Sequence, residues 1–524
     1  MHASFFTLGQ VIKFAFDATG VLPRKRSERT GLDERDIKRI QKQLERLIDE
    51  EGSLSNRCEE LIQALAFEIA GTIRNQKVSL AIGGTLADLL GTYCKVICDD
   101  GTYLSPRDSL RWFCGAYAIP GLVLSIHKHT LRLNIHSEGF LRPEDDDWYL
   151  PTITGTTIKW PLEKAMNWVY EQCQTSRTQF HNPGRVICNE SSEGRQNLYN
   201  AGNWIRGKTM PSWPGLHWNF ARSMDRLVAA EEPYKRSISE IERESFLYVL
   251  FLARFSTCLT KLVHDVYGTE VLSDMISQFK RHRKYLVAYL EYFKSETSRY
   301  IKINMIHADC HNLIWLRHTD QYWESFNSRL VTCAMELESL LKIFGNQVMP
   351  DENLTLLFDE YGEYAVHFIL DLTTYLRDLN PPDFFPEALL RGFDLKKCNS
   401  TTHASIDVYE TEVKEKGLTP SLEWMVHWNR AVVYYKNRQD QEAFMHIQKA
   451  FELARYAAGK NQYAIVNQYI ELAAKNDSWK VFKKGVFWAD YLGLSVRWLR
   501  GKEPTEDNLR ATFELMKKGR YLDL

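Results

Sequence analysis

The feature that most constrains the fold is the helical spacing of apolar residues over most of the chain. From Pro161 onward, apolar residues recur at steps of three and four, which places them on one face of a helix. The long amphipathic stretches lie near 238–268, 270–297, 320–344, 353–379, 422–436 and 440–458. The same spacing near the start of the chain predicts helices over Leu8–Ala18, Asp33–Glu51 and Arg57–Arg74. The sequence therefore predicts a mainly α-helical protein.

The clearest β signal is an alternation of apolar and polar residues over 122–136. The apolar positions are Leu124, Ile126, Leu131, Leu133 and Ile135. A period of two is typical of a half-buried strand. We therefore expect a small β-hairpin near 122–136, with its turn close to Lys128 and His129.

Breaks in the helical pattern predict four domains in the 524-residue chain. An acidic, proline-containing segment at 143–155 and the Asn380–Pro386 segment interrupt the pattern. This number fits the chain length at about 100–200 residues per domain. The predicted domains are a mixed, mostly helical N-terminal domain at 1–142, a second domain at 156–230, a helical domain at 235–400 and a C-terminal helical domain at 405–524.

The charge balance excludes a global electrostatic attraction to nucleic acid or membrane. There are 66 Lys and Arg residues against 67 Asp and Glu residues, so any charged binding surface must be local. The ten cysteines are scattered, which favours reduced thiols and a cytoplasmic location. The most apolar stretch, Phe246–Phe255, is too short to cross a bilayer. Because Lys13 and Asp17 interrupt the apolar start, we expect no signal peptide. Because the sequence has no run of 18 apolar residues, we expect no membrane partner.

Residues 195–227 combine a polar helix, a Gly-Lys turn and a second helix. Ala201 and Trp204 are spaced to face a core, which turns the polar residues outward. Gly207 can adopt the left-handed conformation that ends a helix, and Ser212 can cap the next one. Asparagine can pair with an adenine edge in the major groove, and basic side chains can contact phosphates. The predicted nucleic-acid-binding residues are Arg195, Asn197, Tyr199, Asn200, Asn203, Arg206 and Lys208.

This segment resembles the second half of a Cro/repressor-type (XRE-like) helix-turn-helix domain. The matching residues are Trp204, Gly207, Lys208, Pro211, Ser212, Leu216 and Ala221. The resemblance implies that Pro161–Gln174 is the first helix and Ser176–His181 a short second one, followed by an insertion over Asn182–Gly194. Residues 156–229 carry nine Lys and Arg against five Asp and Glu, which is the correct sign for DNA.

The resemblance implies double-stranded DNA as the partner. The expected role is transcription regulation by a sequence-specific protein, or DNA recognition within a mobile-element or defence system. A second basic cluster precedes Thr30–Ile40, which has the outline of another helix-turn-helix. Its members, Arg24, Lys25, Arg26 and Arg29, are further candidates for DNA contact, although a solvated charged face is the better default explanation for them.

Residues Gly202–Thr209, within the helix-turn-helix-like segment, also match the phosphate-binding pattern G-x-x-x-x-G-K-[ST]. In a P-loop NTPase switch, Lys208 would contact phosphates, and Thr209 and Asp359 would hold a magnesium ion. That alternative requires a buried strand before Gly202, whereas Arg195–Ala201 is polar and helix-like. We keep it as an alternative function of this segment.

No other pattern assigns a catalytic residue, a metal or a cofactor. His307 and His311 are four residues apart, but no third ligand lies near them. Cys94 and Cys98 lack a second pair. The arginine-to-histidine spacing of HEPN-type ribonucleases, the G-x-S-x-G nucleophile elbow and the glycine-rich dinucleotide fingerprint are all absent from the sequence.

Residues Trp424–Gly459 resemble a tetratricopeptide repeat. The positions that carry the resemblance are Ala431, Tyr434, Ala443, Ile447 and Ala450. Small residues at such positions let two antiparallel helices approach closely. The resemblance implies that the C-terminal helices bind a protein partner or mediate self-association. A helical protein-binding scaffold that does not bind nucleic acid is therefore a third possible function.

Overall fold

A computed structural model describes most of the chain. The described residues are 6–22, 34–50, 52–72, 76–99, 106–132, 141–183, 191–344, 351–362, 365–370 and 385–519. Helices dominate them, which confirms the prediction of a mainly α-helical protein. The basic cluster of Arg24, Lys25, Arg26 and Arg29 lies outside the described residues.

The N-terminal region is a group of helices packed through apolar faces. Thr7 and Gln10 form a capping box that starts the first helix, and Gly20 ends it with a positive φ of 64°. Ile12, Leu47 and Leu61 are buried where the first three helices meet. The helices are α1 (Leu8–Thr19), α2 (Glu34–Ile48), α3 (Leu54–Thr72), α4 (Gln76–Asp99), α5 (Pro106–Phe113), a π-helical segment over Cys114–Ala118, and α6 (Ile119–Arg132).

The predicted β-hairpin at 122–136 is wrong, because residues 122–132 belong to α6. The alternation in sequence treated Ser125 and His127 as solvent-facing, yet both are buried. Ser125 donates a hydrogen bond of 2.6 Å to the Asp88 carboxylate on the neighbouring helix α4. Tertiary packing therefore satisfies the polar positions within a helix, while residues 133–136 lie outside the described part of the chain.

Within the described part of the chain, three helices are long and apolar enough to cross a membrane, judged by length and composition only. Their ranges are Gln76–Cys98, Ser109–Thr130 and Glu240–Ile303. The expectation that no segment crosses a membrane depended on the absence of an uninterrupted apolar run of that length. Each of these ranges instead contains an apolar 18-residue window with at most two charged residues.

The middle of the chain contains a two-stranded hairpin followed by a helical bundle. Strands β1 (Thr152–Thr154) and β2 (Thr157–Lys159) pair antiparallel, with Ile153 opposite Ile158. The helices that follow confirm the predicted helices at Pro161–Gln174 and Ser176–His181. They are α7 (Pro161–Gln172), α8 (Arg177–His181), α9 (Ser191–Ile205) and α10 (Trp213–Ala229).

A long helical hairpin follows the bundle. Helix α11 (Glu240–Ile303) has a kink at Gly268, where φ is 86°. Its N-terminal part packs against α7 and α10, and its C-terminal part packs against α12 (His311–Phe344). Phe279, Phe326 and Leu337 belong to a second apolar core, which also includes residues of α13 (Asp351–Tyr361).

The C-terminal helices pack as antiparallel neighbours along the chain. Ala431, Ala443 and Ala450 are buried between adjacent helices, as close helix packing requires. The likeness to a tetratricopeptide repeat stays a prediction. The helices are α14 (Phe385–Lys397), α15 (His403–Glu415), α16 (Thr419–Lys436), α17 (Asp440–Ala454), α18 (Gln462–Lys475), α19 (Trp479–Tyr491) and α20 (Glu506–Lys518).

The two ends of the chain meet through a buried charged network. Arg455 is almost fully buried and forms ion pairs with Glu50 and Glu452. Tyr456 donates a hydrogen bond of 2.6 Å to the Glu50 carboxylate. The Arg455 guanidinium also lies over the Trp488 ring, 5.1 Å from its centroid. This network attaches the turn after α2 to the C-terminal helices.

Replacing Arg455 by methionine should lower the free energy of unfolding by about 3–5 kcal/mol, because it leaves the Glu50 carboxylate buried without its main partner. Urea denaturation followed by circular dichroism measures the change. Lys38→Ala, which removes an exposed pair with Glu34, is the control and should change it by less than about 1 kcal/mol. Equal midpoints for the parent and Arg455→Met would contradict the assigned role of this network.

Candidate nucleic-acid interface

Helix α9 has one face in the core and one face in solvent. Gly194, Asn197 and Ala201 are buried, and Ala201 is fully inaccessible. Arg195 and Tyr199 are exposed on the other side, and 64% of Tyr199 is accessible. The helix therefore presents a polar surface that no described segment covers.

Six of the seven predicted contact residues on and after α9 are exposed or half-buried. Arg195, Tyr199, Arg206 and Lys208 are exposed. The two asparagines on the same helix, at positions 200 and 203, are half-buried at the edge of the exposed face. These six residues share the solvent side of α9 and the turn that follows it.

Asn197 is a correction to the predicted set. Only 3% of its surface is accessible, because it lies four residues from Ala201 on the buried face. Its backbone carbonyl accepts a hydrogen bond of 3.2 Å from Asn219 on α10. Asn197 therefore joins two helices and does not face solvent.

Hydrogen bonds along α9 orient the half-buried Asn200 side chain and the exposed Arg206 side chain. Gln196 donates to the Asn200 carboxamide oxygen over 3.0 Å. The Arg206 Nε donates to the Gly202 carbonyl over 2.8 Å, so the guanidinium lies along the last turn. Both contacts reduce the rotamer freedom that the side chains would lose on binding.

The turn after α9 is built as the sequence predicts. Gly207 has a φ of 63°, in the left-handed region that favours glycine. The amides of Gly207 and Lys208 donate to the carbonyls of Trp204 and Asn203, over 3.0 and 2.9 Å. These bonds satisfy carbonyls at the helix end and direct the chain toward Lys208.

Two residues at this turn are not among the predicted contact residues. Lys261 on α11 donates from Nζ to the Gly207 carbonyl over 2.9 Å. The half-buried Trp160 indole lies next to Gly207, at the end of the β-hairpin. A second cation, Lys261, and the aromatic ring of Trp160 therefore lie at the turn that carries Lys208. No local signal could reveal this group, because Lys261 lies 54 residues from Gly207.

The helix after the turn is capped as predicted. The Ser212 side chain accepts a hydrogen bond of 3.2 Å from the Gly215 amide. This bond satisfies one of the amides that a helix start leaves free. The apolar face of α10 is fully buried and consists of Leu216, Phe220, Met224 and Leu227.

A buried arginine holds the start of α10. Arg254 on α11 is fully buried and donates from Nε to the Pro211 carbonyl over 2.8 Å. Its other nitrogens donate to the carbonyls of Ala18 and Asp17 at the end of α1. Gly20 leaves room for the guanidinium, since a Cβ at that position would overlap it. The turn between α9 and α10 is thereby attached to two distant helices.

A buried histidine joins the three helices beneath α9. The Ser223 hydroxyl donates to the Asn219 carbonyl over 2.8 Å, so it accepts from Nδ1 of His181 over 2.9 Å. Nε2 of His181 then accepts from the Tyr170 hydroxyl over 2.9 Å. Burial lowers the pKa of His181 to about 3, and nearby Arg177 adds to the effect. The imidazole is therefore neutral at pH 7.

The phosphate-binding pattern at Gly202–Thr209 does not have the geometry of a P-loop. Its first four residues are the last turn of α9, and α9 itself occupies the place of the required strand. Asp359 belongs to helix α13 and not to a strand. The backbone amides of a helix end cannot wrap a triphosphate as the loop does, so the geometry does not support the NTPase alternative.

The described residues hold no group of three or more His, Cys, Asp or Glu side chains with metal-binding geometry. His307 and His311 do not share a helical face, because a short 3₁₀ turn over Ala308–Cys310 separates them. Nε2 of His311 instead lies 3.0 Å from the carbonyl oxygen of Ile306.

The buried His181 predicts a pH dependence of stability. The unfolded chain binds a proton near pH 6.5, whereas the folded histidine does so only near pH 3. Stability from this residue is complete above pH 6.5 and is lost as the pH falls, by about 1.4 kcal/mol per unit. Urea denaturation from pH 7 to pH 4.5 should show a steeper loss for the parent than for His181→Gln. Parallel curves would contradict the neutral buried imidazole.

Comparisons of the chain with protein-family models, with curated proteins and with solved structures find no match.

Proposed function

We propose that this chain binds double-stranded DNA through the exposed face of α9. The observation that carries the proposal is the two-sided character of the helix. Its apolar side is buried against α7 and α8, while its solvent side carries asparagine, tyrosine and arginine. An α-helix of this kind fits the width of the major groove of B-DNA.

The exposed residues divide into base-reading and phosphate-binding groups by their chemistry. Asn200 and Asn203 can pair with adenine edges, since a carboxamide offers a donor and an acceptor together. Arg206, Lys208 and Lys261 lie at the helix end, where cations can neutralise phosphates on the groove edge. Binding depends on this local group, because the net charge of the whole chain is −1.

The proposed role is recognition of a DNA sequence by a regulator, or by a component of a mobile-element or defence system. The cytoplasmic location and self-association through the C-terminal helices remain predictions from sequence. Self-association would suit this role, because a symmetric dimer reads two half-sites at a fixed spacing.

Lys208→Ala should weaken binding to all duplex sequences and reduce the salt slope by about one unit, because one phosphate contact is lost. Fluorescence anisotropy of a labelled random duplex across a KCl series measures both quantities. Lys480→Ala removes an exposed lysine from the C-terminal helix α19 and serves as the matched control. An unchanged slope in Lys208→Ala, or an equal change in the control, would refute the phosphate contact.

Asn200→Ala and Asn203→Ala should each relax the preference at one or two base pairs. The expected cost is about 1–3 kcal/mol on the preferred site and little on random DNA. Selection from a random duplex library gives the preferred site, and competition anisotropy then gives the cost. If both variants keep the parent's sequence preference, α9 does not read bases.

A further inference from the structure

Two histidines on neighbouring C-terminal helices face each other through the same ring atom. His427 on α16 and His446 on α17 approach with their Nδ1 atoms 3.1 Å apart. Their ring centroids are 5.3 Å apart, and the ring planes differ by 32°. The pair is unrelated to the DNA-binding surface proposed above, which lies on α9.

This separation matches the spacing of two nitrogen ligands on one metal ion. Zinc–nitrogen bonds are about 2.0–2.1 Å long, so two imidazole nitrogens at a tetrahedral zinc lie about 3.3 Å apart. A hydrogen bond between two neutral imidazoles can occupy the same space when no metal is bound. The ring centroids are only 2.2 Å farther apart than the Nδ1 atoms (5.3 against 3.1 Å), so the two nitrogens point almost directly at each other. Each ring therefore has to turn for both nitrogens to face one ion beside the line between them.

The surroundings hold both rings in place. Tyr434 stacks on His446, with the planes 11° apart and the centroids 5.4 Å apart. The Glu423 carboxylate lies 3.9 Å from Nε2 of His427, on the side of the ring away from Nδ1. Histidines that bind metals often have a carboxylate near the second ring nitrogen, which orients the ring and raises its basicity.

Solvent reaches one of the two rings. His427 lines a cavity of about 490 Å³, and 17% of its side chain is accessible.

The charge near the pair is mixed. Arg430 is paired with the carboxylates of Asp407 and Glu410, and Glu410 places a negative charge near both histidines. These carboxylates offset the cations, so a divalent ion would not enter a purely positive environment.

We propose that His427 and His446 form a binding site for one divalent transition-metal ion, with water completing the coordination. Such an ion would link α16 to α17. With two protein ligands, the affinity should follow the general order in which Cu²⁺ binds more tightly than Ni²⁺ or Zn²⁺.

Isothermal titration of the full-length protein with ZnCl₂ tests the site. The parent should bind one more zinc ion per chain than His446→Gln, because the amide cannot replace an imidazole ligand. His311→Gln is the matched control, since it removes a histidine near His307 outside the proposed site, and it should bind as the parent does. Exposed thiols such as Cys310 can also take up zinc, so the difference between proteins is the measured quantity.

Copper provides a readout that a purely structural change would not move. The electron paramagnetic resonance spectrum of the Cu²⁺-loaded parent should show two imidazole nitrogens, and either His446→Gln or His427→Gln should lose one of them. Circular dichroism shows whether each variant folds. If one variant fails to fold, the zinc stoichiometry and the copper spectrum of the other variant test the proposal. Equal zinc stoichiometry in the parent and a folded variant, or a parent without a zinc site, would overturn the proposal.

Discussion

Three segments far apart in sequence meet at one buried guanidinium, that of Arg254. It belongs to an apolar part of α11, and its nitrogens donate to backbone carbonyls of Asp17, Ala18 and Pro211. A buried cation is costly unless its donors are satisfied, and the end of α1 supplies carbonyls at the negative pole of a helix dipole. The first helix of the chain and the start of α10 are thereby attached to the same point.

The candidate interface depends on this attachment. Helix α10 leaves the junction at Trp213, whose amide donates to the Gly20 carbonyl over 2.8 Å. It then packs beneath α8 and contributes Ser223 to the hydrogen bonds around His181. Because α7, α8 and α10 support one side of α9 and its C-terminal turn, the polar side is left facing solvent. The exposed polar face of α9 therefore results from the packing of α7, α8 and α10 against its other face.

Local patterns in the sequence predicted the first three helices, most of the helices from Pro161 onward, the Gly207 turn and the Ser212 cap, because each depends on residues within one or two helical turns. They did not predict α4, α5 or α6. The errors arose where distant contacts decide. The sequence pattern predicts that Ser125 and Asn197 are exposed. In the structure, Ser125 is buried and bonds to Asp88 on another helix, and Asn197 is buried against α10. Lys261, the Glu50–Arg455 pair and the His427–His446 pair carry no local signal, since their partners come from other helices.

Hydrogen–deuterium exchange of the full-length chain, with and without a duplex, tests the central claim most directly. Binding along α9 would stabilise its backbone hydrogen bonds, which slows exchange at those amides. We therefore expect DNA to slow exchange in peptides that cover 195–208, while peptides from α19 around Lys480 stay unchanged. Slowed exchange elsewhere with no effect at 195–208 would show that the chain contacts DNA through a different surface, and no change anywhere would exclude this mode of binding.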